Sequence, residues 1–120
     1  MRVPSEFTLH IRDVFRLFGP VQVRRMFGGY GLYREGLMFA VVVDETLYLK
    51  TDAETVHDFR RRGLPPFQYL RRGKPVAMSY YQAPEEVMED AAEAARWARR
   101  AFEAALRARN ARPLRRRAGS

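Results

Sequence analysis

The sequence predicts an α+β fold in the order α-β(3)-α-β(2)-α, with a five-stranded antiparallel sheet packed by helices. Three observations predict it. A helix-spaced apolar stripe opens the chain, short apolar or alternating runs separated by turn residues follow, and an alanine-rich stretch precedes the basic C-terminal segment. The chain has 120 residues, of which 47% are hydrophobic, so it can form one domain with one core.

The first helix is expected to begin near Ser5, whose hydroxyl can cap free amide groups, and to end at Gly19-Pro20. Residues with helical spacing form its buried stripe. These are Phe7, Ile11, Val14, Phe15 and Phe18.

Three strands should follow at 24–33, 37–43 and 46–50, joined by short reversals into an antiparallel meander. We expect the first of these strands to be bent or bulged at Gly28-Gly29, because glycine inside a strand usually marks such a site. Two further strands, near 67–71 and 75–81, should pair across a tight turn at Arg72-Gly73.

The second helix is predicted over about 53–62, after Asp52 as N-cap and before Gly63 as a left-handed C-terminal residue. Its buried side should include Ala53, Val56 and Phe59. The last helical region should start after Pro84 and be renewed at Asp90. The small residues on its packing side are Ala94, Ala98, Ala101 and Ala105, flanked by Trp97 and Phe102.

The net charge of +8 is unevenly distributed. Residues 107–120 contain six arginines and no acid, which leaves 16 bases and 14 acids in the rest of the chain. Past Leu106 the apolar pattern fades, and Pro113 should prevent a continuous helix. We therefore predict a domain over residues 1–106 and an arginine-rich flexible tail over residues 107–120.

Two blocks of the sequence resemble the TfoX/Sxy N-terminal domain family of small bacterial proteins. The first contains Met26, Phe27, Gly28, Gly29 and Gly31, followed by reversals at Glu35-Gly36 and Asp44-Glu45. The second, residues 67–84, combines an aromatic strand, a Gly73-Lys74 turn, a Ser-Tyr-Tyr strand and a proline. The resemblance implies a layout similar to type III secretion chaperones. It also implies a non-enzymatic regulatory or interaction module, linked in this family to transcriptional control of competence genes.

The residue types give no sign of catalysis, a metal site or a cofactor site. The chain has no cysteine and only two histidines, His10 and His57, without an organised acid or hydroxyl partner. Gly28–Gly31 lacks the Gly-Lys-Ser/Thr ending of a phosphate-binding loop. We therefore expect a cytoplasmic protein that is not an enzyme, needs no cofactor and does not enter a membrane.

The expected partner is a protein or a nucleic acid. Arg71, Arg72 and Lys74 lie near Phe67, Tyr69, Tyr80 and Tyr81, so the last hairpin is either a stacking platform for single strands or an ordinary alternating sheet. The tail offers further phosphate contacts. Its arginines are Arg107, Arg109, Arg112, Arg115, Arg116 and Arg117. The alternative function is thus a small nucleic-acid-binding accessory protein that acts through its basic tail.

A homodimer is a further hypothesis about the assembly of the chain. An open antiparallel sheet has two edges, and the alanine-rich last helix offers a close-packing side.

Overall fold

A computed structural model describes residues 5–26 and 28–118 of the chain. Six antiparallel strands form one sheet in the order β1-β2-β3-β4-β6-β5, so that β6 lies between β4 and β5. The strands are β1 (Gln22–Met26), β2 (Gly29–Arg34), β3 (Leu37–Val43), β4 (Thr46–Lys50), β5 (Pro66–Arg71) and β6 (Lys74–Gln82). The helices are α1 (Ser5–Val14), α2 (Val56–Arg61), α3 (Glu86–Glu89) and α4 (Ala91–Ala118).

The α+β class and the antiparallel sheet are confirmed, but the sheet has six strands instead of five. The extra strand arises because the predicted strand over 24–33 is a hairpin, with Met26 paired to Gly29. Gly28 has φ +75°, a conformation that favours glycine and reverses the chain. A turn therefore replaces the predicted bend, and Phe27 of the motif lies outside the described residues.

Three other reversals are two-residue turns in which both residues have positive φ. They are Glu35-Gly36, Asp44-Glu45 and Arg72-Gly73, as the sequence predicts. Such turns match the right-handed twist of the strands they connect, so each one fixes the register of its hairpin. Within the described residues, the first three strands contain one irregularity, which lies between Leu32 and Tyr33 and not at Gly28-Gly29. There the pairing of β2 with β3 shifts.

Gly29 and Gly31 are needed for close approach within the sheet. A Cβ atom at Gly29 would lie 2.2 Å from the backbone oxygen of Val42 on β3. A Cβ atom at Gly31 would lie 2.9 Å from the sulfur atoms of Met26 and Met38. The first obstacle is fixed backbone, whereas the second consists of flexible side chains that can move.

The helices cover one face of the sheet and form the main core with it. Phe15 and Phe18 of the α1 region meet Phe39 of β3, with ring centroids 5.7 and 5.1 Å apart. Phe59 of α2 packs edge-on against Trp97 of α4 at 5.2 Å. Most of the predicted packing residues of the first and last helices are buried, whereas Phe7 is only partly buried. The buried ones are Ile11, Val14, Phe15, Phe18, Ala94, Ala98, Ala101 and Ala105.

Helix α2 is shorter than predicted, and Ala53 is exposed in the turn before it. Asp52 still accepts hydrogen bonds from the amides of Glu54 and Thr55, which shows the predicted capping role one turn earlier. Gly63 has the expected positive φ of +70°. The Leu64 amide donates to the Phe59 carbonyl at 3.0 Å, which completes the helix end.

Helix α4 starts as predicted but continues further. Asp90 accepts hydrogen bonds from the amides of Ala92 and Glu93 and so caps it. The helical backbone then extends through Pro113 to Ala118, although the pattern fades past Leu106. Proline removes one backbone hydrogen bond without necessarily ending a helix. The division into a 1–106 domain and a flexible 107–120 tail stays a prediction.

None of the helices in the described part of the chain combines the length and apolar character needed to cross a bilayer.

The two close-approach glycines should respond differently to substitution. Gly29→Ala places a methyl group against the Val42 carbonyl and should destabilise the protein by about 2–3 kcal/mol, the upper part of the range for overpacking, because the obstacle is backbone. Gly31→Ala displaces two methionine sulfurs and the edge of the Tyr33 ring, which lies 3.0 Å away, but no backbone, and should cost less, about 1 kcal/mol. Urea unfolding followed by circular dichroism measures both variants. Equal losses would contradict the difference between backbone and side-chain obstacles.

Candidate interaction surface

The sheet carries a second apolar cluster on the face that points away from the helices, here called the outer face. Neighbouring residues of a strand alternate between the two faces, so Leu47 and Leu49 enter the main core while Tyr48 belongs to the second cluster. The second cluster contains only strand residues among the described ones. Its members are Val41, Phe67 and Tyr80, which are buried, and Met26, Met38, Val43, Tyr48, Tyr69 and Met78, which are partly buried.

Methionine side chains cover the centre of the outer face. Three of the five methionines of the chain, Met26, Met38 and Met78, belong to this cluster. Met26 and Met38 occupy the space above Gly31, which has no side chain of its own. Methionine is flexible and polarisable, so a surface built from it can adapt to different partners.

Aromatic residues of the outer face pack mainly on one another. The Tyr48 and Phe67 rings are 5.2 Å apart, and the Phe67 and Tyr69 rings are stacked at 6.4 Å. Burial, with a smaller contribution from Tyr33, raises the pKa of Tyr80 to about 12, so its hydroxyl is neutral at physiological pH. The remaining member of the predicted stacking platform, Tyr81, lies on the opposite face against Phe59. The four aromatics therefore do not form one exposed platform.

The six strands contain six bases and no acid. The strand bases are Arg24, Arg25, Arg34, Lys50, Arg71 and Lys74. All 14 acids lie in the helices and in the turns or loops between elements. The sheet is therefore a positively charged layer, whereas the helical layer and the turns carry charges of both signs.

Four of the strand bases share the outer face by strand alternation. Arg24 lies two residues from Met26 and holds its guanidinium 4.5 Å from the Tyr33 ring. Lys50 follows Tyr48 by two residues, and its ammonium lies 2.6 Å from the Ser79 hydroxyl oxygen and 5.3 Å from the Tyr80 ring. Arg71 continues the side of Tyr69 and is paired with Lys74 across the last hairpin.

Several bases on the helical side are matched with acids. Arg62 forms a two-pronged ion pair with Glu86 at 2.8 and 2.9 Å, and Arg96 pairs with Glu93 at 2.8 Å. The hydrogen bond to Arg62 holds the pKa of the Glu86 carboxyl below its usual value. The charge on this side is thus largely compensated within the protein.

The predicted contact residues fall into separate groups. Arg71, Arg72 and Lys74 are brought together, exposed, at the tip of the β5–β6 hairpin. Arg109 is exposed on α4 and lines a cavity of about 250 Å³ beside the sheet. The side chains of the remaining tail arginines lie outside the described part of the structure: Arg112, Arg115, Arg116 and Arg117.

Arg107 is bound within the protein. Its guanidinium lies 2.5 Å from a carboxylate oxygen of Asp52 and 3.2 Å from one of Glu54. The hydrogen bond from Arg107 lowers the pKa of Asp52 and the same bond raises the pKa of Arg107. Arg107 therefore ties α4 to the loop that precedes α2, a contact across 55 positions that the sequence pattern does not predict.

A second tie uses Asp58 of α2. Its carboxylate accepts hydrogen bonds from Arg100 of α4 and from Arg61, and these bonds, that of Arg100 above all, hold the pKa of Asp58 below its usual value. Two aspartates thus position α4 against the rest of the fold.

The histidines do not come together in the structure. His57 lines an open cavity of about 540 Å³ with Arg60 and Ser79, and His10 lines an apolar groove of about 260 Å³ with Met88. Among the described residues, no group of three or more acids, histidines and cysteines is arranged to hold a metal ion.

The outer face, with the α4 residues at its border, is the most extensive candidate site.

Comparison of the sequence with known proteins identifies a family and two relatives. The sequence profile of a family described as "TfoX N-terminal domain" matches residues 13–105. The chain is similar to "DNA transformation protein TfoX1" of Aliivibrio fischeri, with 30% identity over 80 residues, which is 63% of this chain and 38% of that protein. It is also similar to "Protein Sxy" of Escherichia coli, with 26% identity over 106 residues, which is 88% of this chain and 51% of that protein. The chain thus spans about half, or less, of the length of these curated relatives.

The Asp52–Arg107 ion pair should give stability that depends on pH. Because the folded-state pKa of Asp52 lies below its usual 3.8, the pair stabilises the fold above about pH 4, and this contribution is lost as the pH falls further. Asp52→Asn keeps the acceptor oxygen for the loop amides but removes the charge. It should cost roughly 1 kcal/mol at pH 7, the upper range for a partly exposed pair, and much less near pH 3.

Thermal or urea unfolding at several pH values measures this loss. Asp13→Asn, which disrupts an exposed ion pair with Arg16, is the matched control and should have little effect at any pH. A loss for Asp52→Asn that is the same at pH 3 and pH 7 would show that the carboxylate charge is not involved.

Proposed function

Because this chain belongs to the TfoX N-terminal domain family, we propose that it is a non-enzymatic interaction module of the TfoX/Sxy type that takes part in the regulation of DNA transformation. The proposed step is transcriptional control of competence genes, carried out in the cytoplasm through contact with another macromolecule. One relative is named for DNA transformation, which supports this setting.

The observation that carries the proposal is the outer face. It combines partly buried methionine and tyrosine side chains with the bases of strands that contain no acid. Adaptable apolar groups bordered by charge of one sign are typical of surfaces that bind macromolecules. An interaction module uses a broad surface of this kind to bring a partner to its place of action.

A second candidate function is sequence-independent binding of nucleic acid through the C-terminal segment. The observation that favours it is the cluster of six arginines without an acid in residues 107–120. Each phosphate that an arginine neutralises releases counterions, so such binding should be strong at low salt and weak at high salt. The ion pair of Arg107 with Asp52 makes this residue a structural element, which leaves five arginines for the function.

The regulatory proposal can be tested in the native host. Deletion of the gene should lower the transformation frequency and the transcript levels of competence genes, both of which return when the wild-type chain is supplied. Arg12→Glu, an exposed change on α1, is a control that should restore both. Unchanged transformation frequency in the deletion strain would contradict the proposal.

The nucleic-acid alternative calls for a truncation after Ala111, which keeps the Arg107 ion pair and removes four arginines. If the tail binds nucleic acid, the full chain should bind unrelated duplexes equally, and the truncated chain should show a salt slope reduced by about 3 to 4. Fluorescence anisotropy with labelled duplexes at several salt concentrations measures this. The melting temperature serves as control and should stay nearly constant. Sequence-specific, salt-resistant binding by the truncated chain would exclude the tail as the contact.

A further inference from the structure

We propose that the outer face is the docking site for an acidic, amphipathic segment of a partner protein, with the cavity beside Lys50 and Arg109 as its anchor point. This inference rests on the proposed function as an interaction module and names the surface and the class of partner. It follows from the charge of the sheet, the chemistry of its exposed side and the position of one cavity.

The charge distribution selects an acidic partner. The outer face carries Arg24, Lys50, Arg71 and Lys74, and the strands that form it contribute no acid. On the helical side, by contrast, Arg62, Arg96, Arg100 and Arg107 are each paired with an acid of the same chain. A positively charged surface attracts carboxylates and repels basic segments, which gives both faster association and selectivity for an acidic partner.

The apolar part of the outer face selects a partner with an apolar side. Met26, Met38, Val43 and Met78 are only partly buried although they lie at the centre of this face. Among the described residues the cluster consists of strand residues alone, and α4 reaches it only at its border, beside Met38 and Tyr80. Burying these side chains against leucine or phenylalanine of a partner would remove apolar surface from water.

The cavity provides an anchor for such a partner. It has a volume of about 250 Å³, and Met38 of β3, Lys50 of β4 and Tyr80 of β6 lie on its sheet side. Ala105, Ala108 and Arg109 of α4 form the other side. Its lining contains two cations and no acid. One apolar side chain of the partner could pack against the apolar lining residues, while a neighbouring carboxylate contacts the cations.

A protein segment fits this face better than a single-stranded nucleic acid. Stacking of bases requires exposed aromatic rings, whereas Phe67 and Tyr80 are 7% and 6% exposed. Tyr48 and Tyr69 are partly accessible but pack against Phe67. The other accessible members of the cluster are methionine and valine, which offer contact area without a ring to stack on. Nucleic acid binding at the same residues is therefore the outcome that the experiment must distinguish.

The probe for the test is a fluorescein-labelled peptide of about 16 residues, long enough for about four helical turns. Leucine and phenylalanine recur on one side of it at helical spacing, and glutamate fills the other positions. One control peptide has lysine in place of glutamate. The second has the composition of the probe in a scrambled order that abolishes the apolar side. A labelled oligothymidine of similar length represents single-stranded nucleic acid.

Fluorescence anisotropy with the full chain should show binding of the amphipathic acidic peptide that is at least about fivefold tighter than that of either control peptide. Arg109→Glu and Lys50→Gln should each weaken it by about fivefold to tenfold. Arg99→Glu changes the net charge as Arg109→Glu does, at an exposed position earlier on α4, and should stay within about twofold of wild type. Leu37→Ala, which removes an apolar wall of the cavity, should weaken binding without changing net charge.

Three results would overturn the proposal. These are no binding of the acidic amphipathic peptide up to about 1 mM, equal binding of the scrambled peptide, and equal losses from Arg99→Glu and Arg109→Glu. Tighter, Arg109-dependent binding of oligothymidine would assign the face to nucleic acid instead. A circular dichroism spectrum of each variant confirms that the fold is kept.

The outcome is separable from the regulatory proposal. If the peptide binds as expected while gene deletion leaves transformation unchanged, the docking site stands and the regulatory role fails. If deletion lowers transformation while Arg109→Glu restores it fully and binds the peptide as tightly as wild type, the regulatory role stands and the docking site fails.

Discussion

The fold depends on covering both sides of β3. This strand is a run of seven apolar residues, Leu37–Val43, at an inner position of the sheet. A strand of this kind is stable only when both of its faces are covered, because an uncovered face would expose a continuous row of apolar side chains to water. The helices supply one cover, in which Phe39 meets Phe15 and Phe18. The second cover comes from the sheet itself, where side chains of β1, β4, β5 and β6 join Val41 in one cluster.

The two covers differ in quality, and this difference creates the candidate site. On the helical side the alanines of α4 allow close approach, and Phe39, Ala40 and Leu49 are completely buried. On the outer side long, flexible methionines cover the strand, and several of them remain partly accessible. The first cover is fixed by rigid packing and by two aspartate–arginine ties, whereas the second keeps side chains that can rearrange around a partner.

Most of the architecture could be predicted from local patterns, because turns and helix ends have local causes. The hairpins at Asp44-Glu45 and Arg72-Gly73, and the helix end at Gly63, follow from residues adjacent in sequence. The hairpin at Gly28 was harder to distinguish from a bend, since glycine allows both. The link between Asp52 and Arg107 has no local signal. Strand alternation separates Tyr80 from Tyr81, but which of the two faces the helices is known only with the register of β6. The candidate site depends on that register, so the basic hairpin could be predicted and the outer face could not.

The two edges of the sheet have a consequence for the behaviour of the protein at high concentration. The edge strands are β1 and β5, and unpaired strand edges invite further strands to add. Arg24 and Arg25 are exposed along β1, and β5 begins with Pro66, which has no amide hydrogen to donate. Two β1 edges would therefore bring like charges together, and the start of β5 cannot complete a ladder. Such edges protect the folded domain against growth into extended intermolecular sheets, which are the precursors of fibrous aggregates.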